Sequence, residues 1–223
     1  MVMLHSFLIS ALATLAVATP MTELDTRSLV ARQSSADDLD QGCKDTILIF
    51  ARGSTELGNM GTVIGPPLCS ALKKNLGEDK VACQGVGDMY HGGLVENALP
   101  QNTDPGSIST AKSLFEKAST KCPQSKIVAG GYSQGSAVID NAVQELTGQS
   151  RNMVKGVVFF GFTRNLQDHG QIPGYPKENV KVYCEVGDMV CNGTLVVTPA
   201  HMTYGAKADD AASFLVSKVQ GQA

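Results

Sequence analysis

The chain has 223 residues and a mass of 23.4 kDa, enough for one domain with a substantial core. With 43% hydrophobic and 17% charged residues it is not an intrinsically disordered chain. A net charge of -3 leaves no basic excess for a nucleic-acid partner.

Residues 1–20 read MVMLHSFLISALATLAVATP. The apolar run ends in Ala16-Val17-Ala18, an A-x-A site, so residues 1–18 are expected to be a signal peptide and the protein to be secreted and extracellular. The run is shorter than the roughly 20 residues that span a bilayer, and no stable membrane insertion is expected. Residues 19–42 are polar and aperiodic. They are expected to form a pro-segment or flexible N-terminal arm, leaving 43–223 as a single domain. The arm holds five of the 21 acids and two of the 18 bases, so the body carries 16 of each. A neutral body suits an uncharged or insoluble substrate better than a polyanion. Six cysteines permit three disulfides, with fifteen pairings open.

Five apolar runs rich in β-branched or aromatic residues follow, at 46–51, 80–86, 126–132, 156–162 and 180–186. Continuous apolar runs suit strands buried on both faces of a parallel sheet. Helical patterns lie between and after them, at 62–76, 107–120, 134–146 and 208–219. In 107–120, Ile108, Ala111, Leu114, Phe115 and Ala118 share one stripe. Pro66 and Pro67 must sit in the first turn of the helix at 62–76 or delay its start. The alternation predicts a three-layer α/β domain, a five-stranded parallel sheet flanked by helices.

Gly131-Tyr132-Ser133-Gln134-Gly135 is G-x-S-x-G between a predicted strand and a predicted helix, the context of a nucleophile elbow. A serine nucleophile needs a base, since its hydroxyl is not ionised at neutral pH. Three histidines follow the leader. His91 precedes Ser133, against the order Ser, acid, His. His169 reads as a solvated loop residue. His201 follows the fifth strand, just before the last helix, where the base belongs. The acid must lie between Ser133 and His201. Asp140 sits on the helix after the elbow and points away from the strand ends; Asp168 is an alternative; Asp188 directly follows the fifth strand. A disulfide between Cys184 and Cys191 would hold that carboxylate rigidly. The acid's task, orienting the imidazole, needs such rigidity. Donors for the oxyanion are expected from the Gln134 amide and from the loop 52–56, where Ser54 would face Ser133 if the strand order is 2-1-3-4-5. No C-x-x-C or H-E-x-x-H pattern is present, so no metal is expected.

The body resembles the fungal cutinases. The strings that carry the resemblance are ARGSTE at 51–56, NALP at 97–100, GGYSQGSAVI at 130–139, the Cys184–Cys191 stretch, and HxxYG at 201–205. The resemblance implies Ser133, Asp188 and His201 as the triad and Ser54 and Gln134 as the oxyanion hole, with Asn97 steadying Ser54. It implies Leu94, Leu195 and Val197 as the apolar rim of a crevice without a lid. It also implies the pairs Cys43–Cys122, Cys69–Cys83 and Cys184–Cys191. The function implied is a secreted serine esterase that cleaves cutin, related aliphatic polyesters or short-chain esters through an acyl-enzyme. It needs no cofactor and is expected to act as a monomer. Acetylxylan esterase and short-chain lipase are the enzymatic alternatives; an apolar rim favours an acyl chain over a sugar. A non-catalytic secreted surface-binding protein would not need an intact triad. Asn192-Gly193-Thr194 is a glycosylation sequon beside the catalytic loop, where a sugar would hinder a flat polymer more than a small ester.

Overall fold

The computed structural model describes residues 33–222. The expected signal peptide and residues 19–32 lie outside that range. Five parallel strands, β1 (Thr46–Ala51), β2 (Val81–Gly85), β3 (Lys126–Tyr132), β4 (Val154–Phe160) and β5 (Val180–Tyr183), form one sheet in the order β2-β1-β3-β4-β5. Helices cover both faces: α1 (Asp38–Gln41), α2 (Gly65–Leu76), α3 (Pro105–Lys121), α4 (Gln134–Glu145), α5 (Gly148–Met153) and α6 (Ala208–Val219). This is the predicted three-layer α/β architecture.

Strand alternation distributes β1 between two cores. Ile47, Ile49 and Ala51 point into the core built with α3 and α4, among Ile108, Phe115, Val138 and Phe159. Leu48 and Phe50 point into the core built with α2 and α6, among Leu68, Leu72, Phe160 and Leu215. Every residue of β1 is buried, as a doubly covered central strand requires. Helix α3 begins where Asp104 accepts a hydrogen bond from the Ser107 amide (3.0 Å) with Pro105 in the first turn. Pro66 and Pro67 lie in the first turn of α2.

Three differences from the sequence reading have local causes. First, β4 starts two residues early and stops at Phe160, because Gly161 turns into the left-handed region (φ 55°). Second, α5 is only six residues long, too short for a periodic signal. Third, residues 34–41, expected within a flexible arm, are part of the domain. Ala36 accepts from the Gly85 amide, Asp38 accepts from the Cys83 amide, and Asp37 bridges Gln84 in antiparallel fashion. Leu39 is fully buried. The segment thereby covers the outer edge of β2, which would otherwise expose unpaired amides.

The disulfides are Cys43–Cys122, Cys69–Cys83 and Cys184–Cys191, as the resemblance implied. Among the described residues no helix is long and apolar enough to cross a membrane.

Candidate active site

Ser133 sits between β3 and α4 with φ 53° and ψ -124°, a conformation that costs a non-glycine residue on the order of 1–3 kcal/mol. The turn is held from both sides. The Ser133 amide donates to Phe160 O on β4 (2.9 Å), and its carbonyl accepts from the Ser136 amide (2.9 Å) and from the Ser136 hydroxyl. Gly135 lets α4 pass beneath β1: a Cβ there would lie 2.1 Å from Ala51 O and 2.3 Å from Arg52 O. The hydroxyl is thus presented at the carboxyl end of the sheet, beside the α4 N-terminus, whose free amides favour developing negative charge.

Asp188 and His201 meet at the sheet's carboxyl edge. Cys184, which directly follows β5, is joined to Cys191, and the loop between them carries Asp188. His201 lies in the 3-10 turn Pro199–Met202. Both residues are only 2% exposed. Asp188 Oδ2 lies 2.8 Å from His201 Nδ1, and Oδ1 accepts from the Val190 amide at 3.0 Å. With the carboxylate as acceptor, Nδ1 carries the hydrogen and Nε2 offers its lone pair. Among the described residues Nε2 has no hydrogen-bond partner, and His201 shares a cavity with Ser133.

Three residues that the sequence reading gave no role complete this side. Tyr132 donates its hydroxyl hydrogen to His201 O (2.8 Å), and its ring lies 5.0 Å from the imidazole. Tyr204 donates to Asp188 Oδ2 (2.5 Å). Burial pushes both phenols up, with the Asp188 carboxylate adding to the effect, so both remain donors. Gly161 makes room for the pair: a Cβ there would lie 2.5 Å from His201 Cε1 and 3.0 Å from Asp188 Oδ2. Tyr132 and Tyr204 were visible as the variable position of G-x-S-x-G and the tyrosine of HxxYG. Gly161 carried only the signal of a glycine closing a strand.

The loop after β1 lies across the cavity mouth. Asn97 donates its amide hydrogen to Ser54 Oγ (3.0 Å) and to Leu94 O (3.2 Å). Glu56 organises the turn: its carboxylate accepts from the Gly53, Thr62 and Val63 amides at 2.7, 2.8 and 2.9 Å. Arg52 donates to the carbonyls of Glu56, Tyr90 and His91, and Tyr90 donates back to Arg52 O at 2.7 Å. Gln134 does more than offer its amide. Its buried side chain donates to Gly93 O (2.7 Å), which clamps the glycine-rich 92–94 segment to the start of α4.

Ser133, Ser54, Asn97 and His201 line one cavity of about 550 Å³. Leu94, Leu195 and Val197 line it too, and each is more than half exposed. Leu57, Val63 and Met202, not singled out from the sequence, extend the apolar wall. The remaining candidates lie elsewhere. His91 and His169 are exposed. Asp168 pairs with Arg164 (2.6 Å), which also reaches the fully buried Asp140 at 3.3 Å. Burial, followed by the neighbouring Asp168 carboxylate, raises the Asp140 carboxyl well above the usual range. Among the described residues no group of three His, Cys, Asp or Glu side chains could hold a metal ion.

The cutinase family model matches residues 42–219. A curated Aspergillus niger protein, "Probable cutinase 1", is 70% identical over 97% of this chain and 85% of its own length. "Cutinase 3" of Emericella nidulans is 62% identical over 96% of this chain and 98% of its own. Among solved structures, Trichoderma reesei cutinase in complex with a phosphonate inhibitor superposes with a TM-score of 0.72 at 27% identity. It covers 87% of this chain and 89% of its own.

Proposed function

The chain belongs to the cutinase family and is a carboxylic ester hydrolase, and from that premise we propose that it is a secreted polyesterase working through Ser133, His201 and Asp188. The observation that carries the reading is the buried His201–Asp188 pair, with His201 lining one cavity beside Ser133. Ser133 Oγ attacks the ester carbonyl carbon while His201 Nε2 takes the hydroxyl proton. Asp188 keeps the ring in the productive tautomer and balances the imidazolium. The tetrahedral oxyanion is received by the Gln134 and Ser54 amides. The Ser54 hydroxyl adds a third donor. Asn97 occupies its oxygen as a donor, so the hydroxyl hydrogen is left to point at the oxyanion. Collapse of the intermediate breaks the bond to the leaving alcohol, which receives the proton from His201. Water then repeats the sequence on the acyl-enzyme and frees the acid and Ser133.

The substrate class follows from the rim. Leu94, Leu195 and Val197 present apolar surface around an open mouth, which suits an aliphatic chain held at a polymer surface better than an acetylated sugar. Three disulfides suit an oxidising, extracellular setting. The test compares rates on p-nitrophenyl butyrate and insoluble cutin for wild type and Ser133→Ala. Turnover of both substrates, lost in the variant, is expected. Cleavage of the soluble ester alone would remove the polymer assignment, and activity surviving in Ser133→Ala would remove the triad.

The same reading takes the Asn192 sequon as glycosylated. Asn192 is exposed, follows Cys191 and lies two residues from Val190 and three from Leu195, both on the cavity wall. Intact mass of the secreted protein should fall on enzymatic removal of N-glycans, and the rate on cutin relative to the soluble ester should then rise. A single unmodified mass would exclude the modification.

A further inference from the structure

Asp188 Oδ2 receives two donors at once, His201 Nδ1 at 2.8 Å and the Tyr204 hydroxyl at 2.5 Å. The Tyr204 oxygen in turn accepts from the Glu185 amide at 3.0 Å. An amide is always a donor, so the phenol's single hydrogen is committed to the carboxylate. Tyr204 is fully buried, and its ring packs edge-on against Tyr132, Phe160 and His201. It stands three residues after His201, at the start of the next 3-10 turn, Tyr204–Lys207. The base and this phenol therefore come to one oxygen atom from the same short segment.

We propose that Tyr204 is a positioning residue for the acid, whose hydrogen bond withdraws charge from Asp188 Oδ2 and thereby sets how tightly His201 holds its proton. The inference rests on the triad reading above and deepens it. A carboxylate oxygen shared between imidazole and phenol is a weaker base than one serving imidazole alone. Its hold on the imidazolium is correspondingly weaker, so His201 sheds its proton at lower pH and passes it more readily to the leaving alcohol. The phenol also fixes the carboxylate plane, because Oδ1 is already held by the Val190 amide.

The other ionisable groups facing the pair are few. Tyr132, from β3, spends its hydroxyl on His201 O. Glu185 is paired with Lys207 at 2.8 Å. Glu56 lines the same cavity, with its carboxylate engaged by three backbone amides. Only Tyr204 among these donates to an Asp188 oxygen.

The test is the pH dependence of kcat/KM on a soluble p-nitrophenyl ester for the full chain and for Tyr204→Phe, with thermal unfolding measured alongside. The acid limb of the variant should move to higher pH by about half a unit, with a several-fold lower plateau. A limb that stays in place while stability falls would make Tyr204 a packing residue only and overturn the proposal. Should Tyr204→Phe fail to fold, 3-fluorotyrosine placed at position 204 keeps the shape and sharpens the donor. The limb should then move to lower pH, and an unmoved limb again overturns the proposal. Loss of activity in Ser133→Ala together with an unmoved limb defeats this inference alone; activity retained in Ser133→Ala defeats the triad reading beneath it.

Discussion

The two loops that flank Ser133 are held in different ways. The Asp188 loop is short, closed by Cys184–Cys191, and buries a carboxylate together with every donor that it uses. The Ser54 loop has no covalent closure. Glu56, Arg52, Tyr90 and Asn97 hold it through bonds that reach up to 43 residues along the chain. The difference follows the cargo. A buried charge is tolerated only when its partners are fixed, so Asp188 has a rigid, local shell. Backbone amides and a hydroxyl carry no full charge, so the Ser54 loop can be positioned by a dispersed network at the cavity mouth.

The sharpest way to break the comparison is at the acid. Asp188→Asn keeps the shape but no longer stabilises the imidazolium or its tautomer. We expect kcat to fall on the order of 10⁴-fold with the fold intact, measured on a soluble ester. Next come the disulfides. Replacing Cys43 and Cys122 by alanine opens a link across 79 residues and should cost roughly 4.5 kcal/mol by the chain-entropy relation. Activity of the folded fraction should persist, because neither cysteine approaches the cavity. Replacing Cys184 and Cys191 frees a separation of 7 and should cost only roughly 2.5 kcal/mol, yet lower kcat, since Asp188 loses its frame. Denaturant unfolding and initial rates on both variants separate the two behaviours; equal losses of activity would erase the difference between the two loops. At the oxyanion loop, Ser54→Ala should reduce kcat by about 10²–10³-fold with little change in KM.

The smallest effect concerns Asp140. Arg164 joins Asp140 and Asp168 and donates to Pro100 O, tying the β4 exit to the segment beyond Asn97. A carboxyl raised in the folded state contributes stability that is complete below its unfolded value of about 3.9 and is lost as pH rises. Asp140→Asn should therefore match wild type near pH 4. It should gain on wild type by about 1 kcal/mol or more toward pH 9, read from urea unfolding at the two pH values. Parallel pH profiles would show that folding does not raise the Asp140 carboxyl.

Much of the site was legible because its parts lie at points where the chain must change direction. Ser133 is marked by flanking glycines that the elbow requires, and Asp188 and His201 by following β5 in the order the sheet imposes. The supporting residues were less legible. Tyr204 and Tyr132 read as ordinary aromatic residues until Asp188 and His201 are placed against them. The side chain of Gln134 gives no sign in sequence of reaching Gly93, 41 positions earlier. Residues 34–41 failed for a related reason: they have no periodicity because they pair with an edge strand and bury a single leucine.

What the sequence determined by itself was local and periodic: five apolar runs, the helices between them and the elbow. These depend on spacing along the chain, and spacing is what a sequence records. The tertiary structure alone decided which groups share an atom. Asp188 Oδ2 serves both His201 and Tyr204, and Gly161 is a glycine because an imidazole stands where its Cβ would be. Such contacts join separate strand ends to one carboxyl edge of the sheet. Their energies depend on distances of a few ångströms that no separation in sequence encodes.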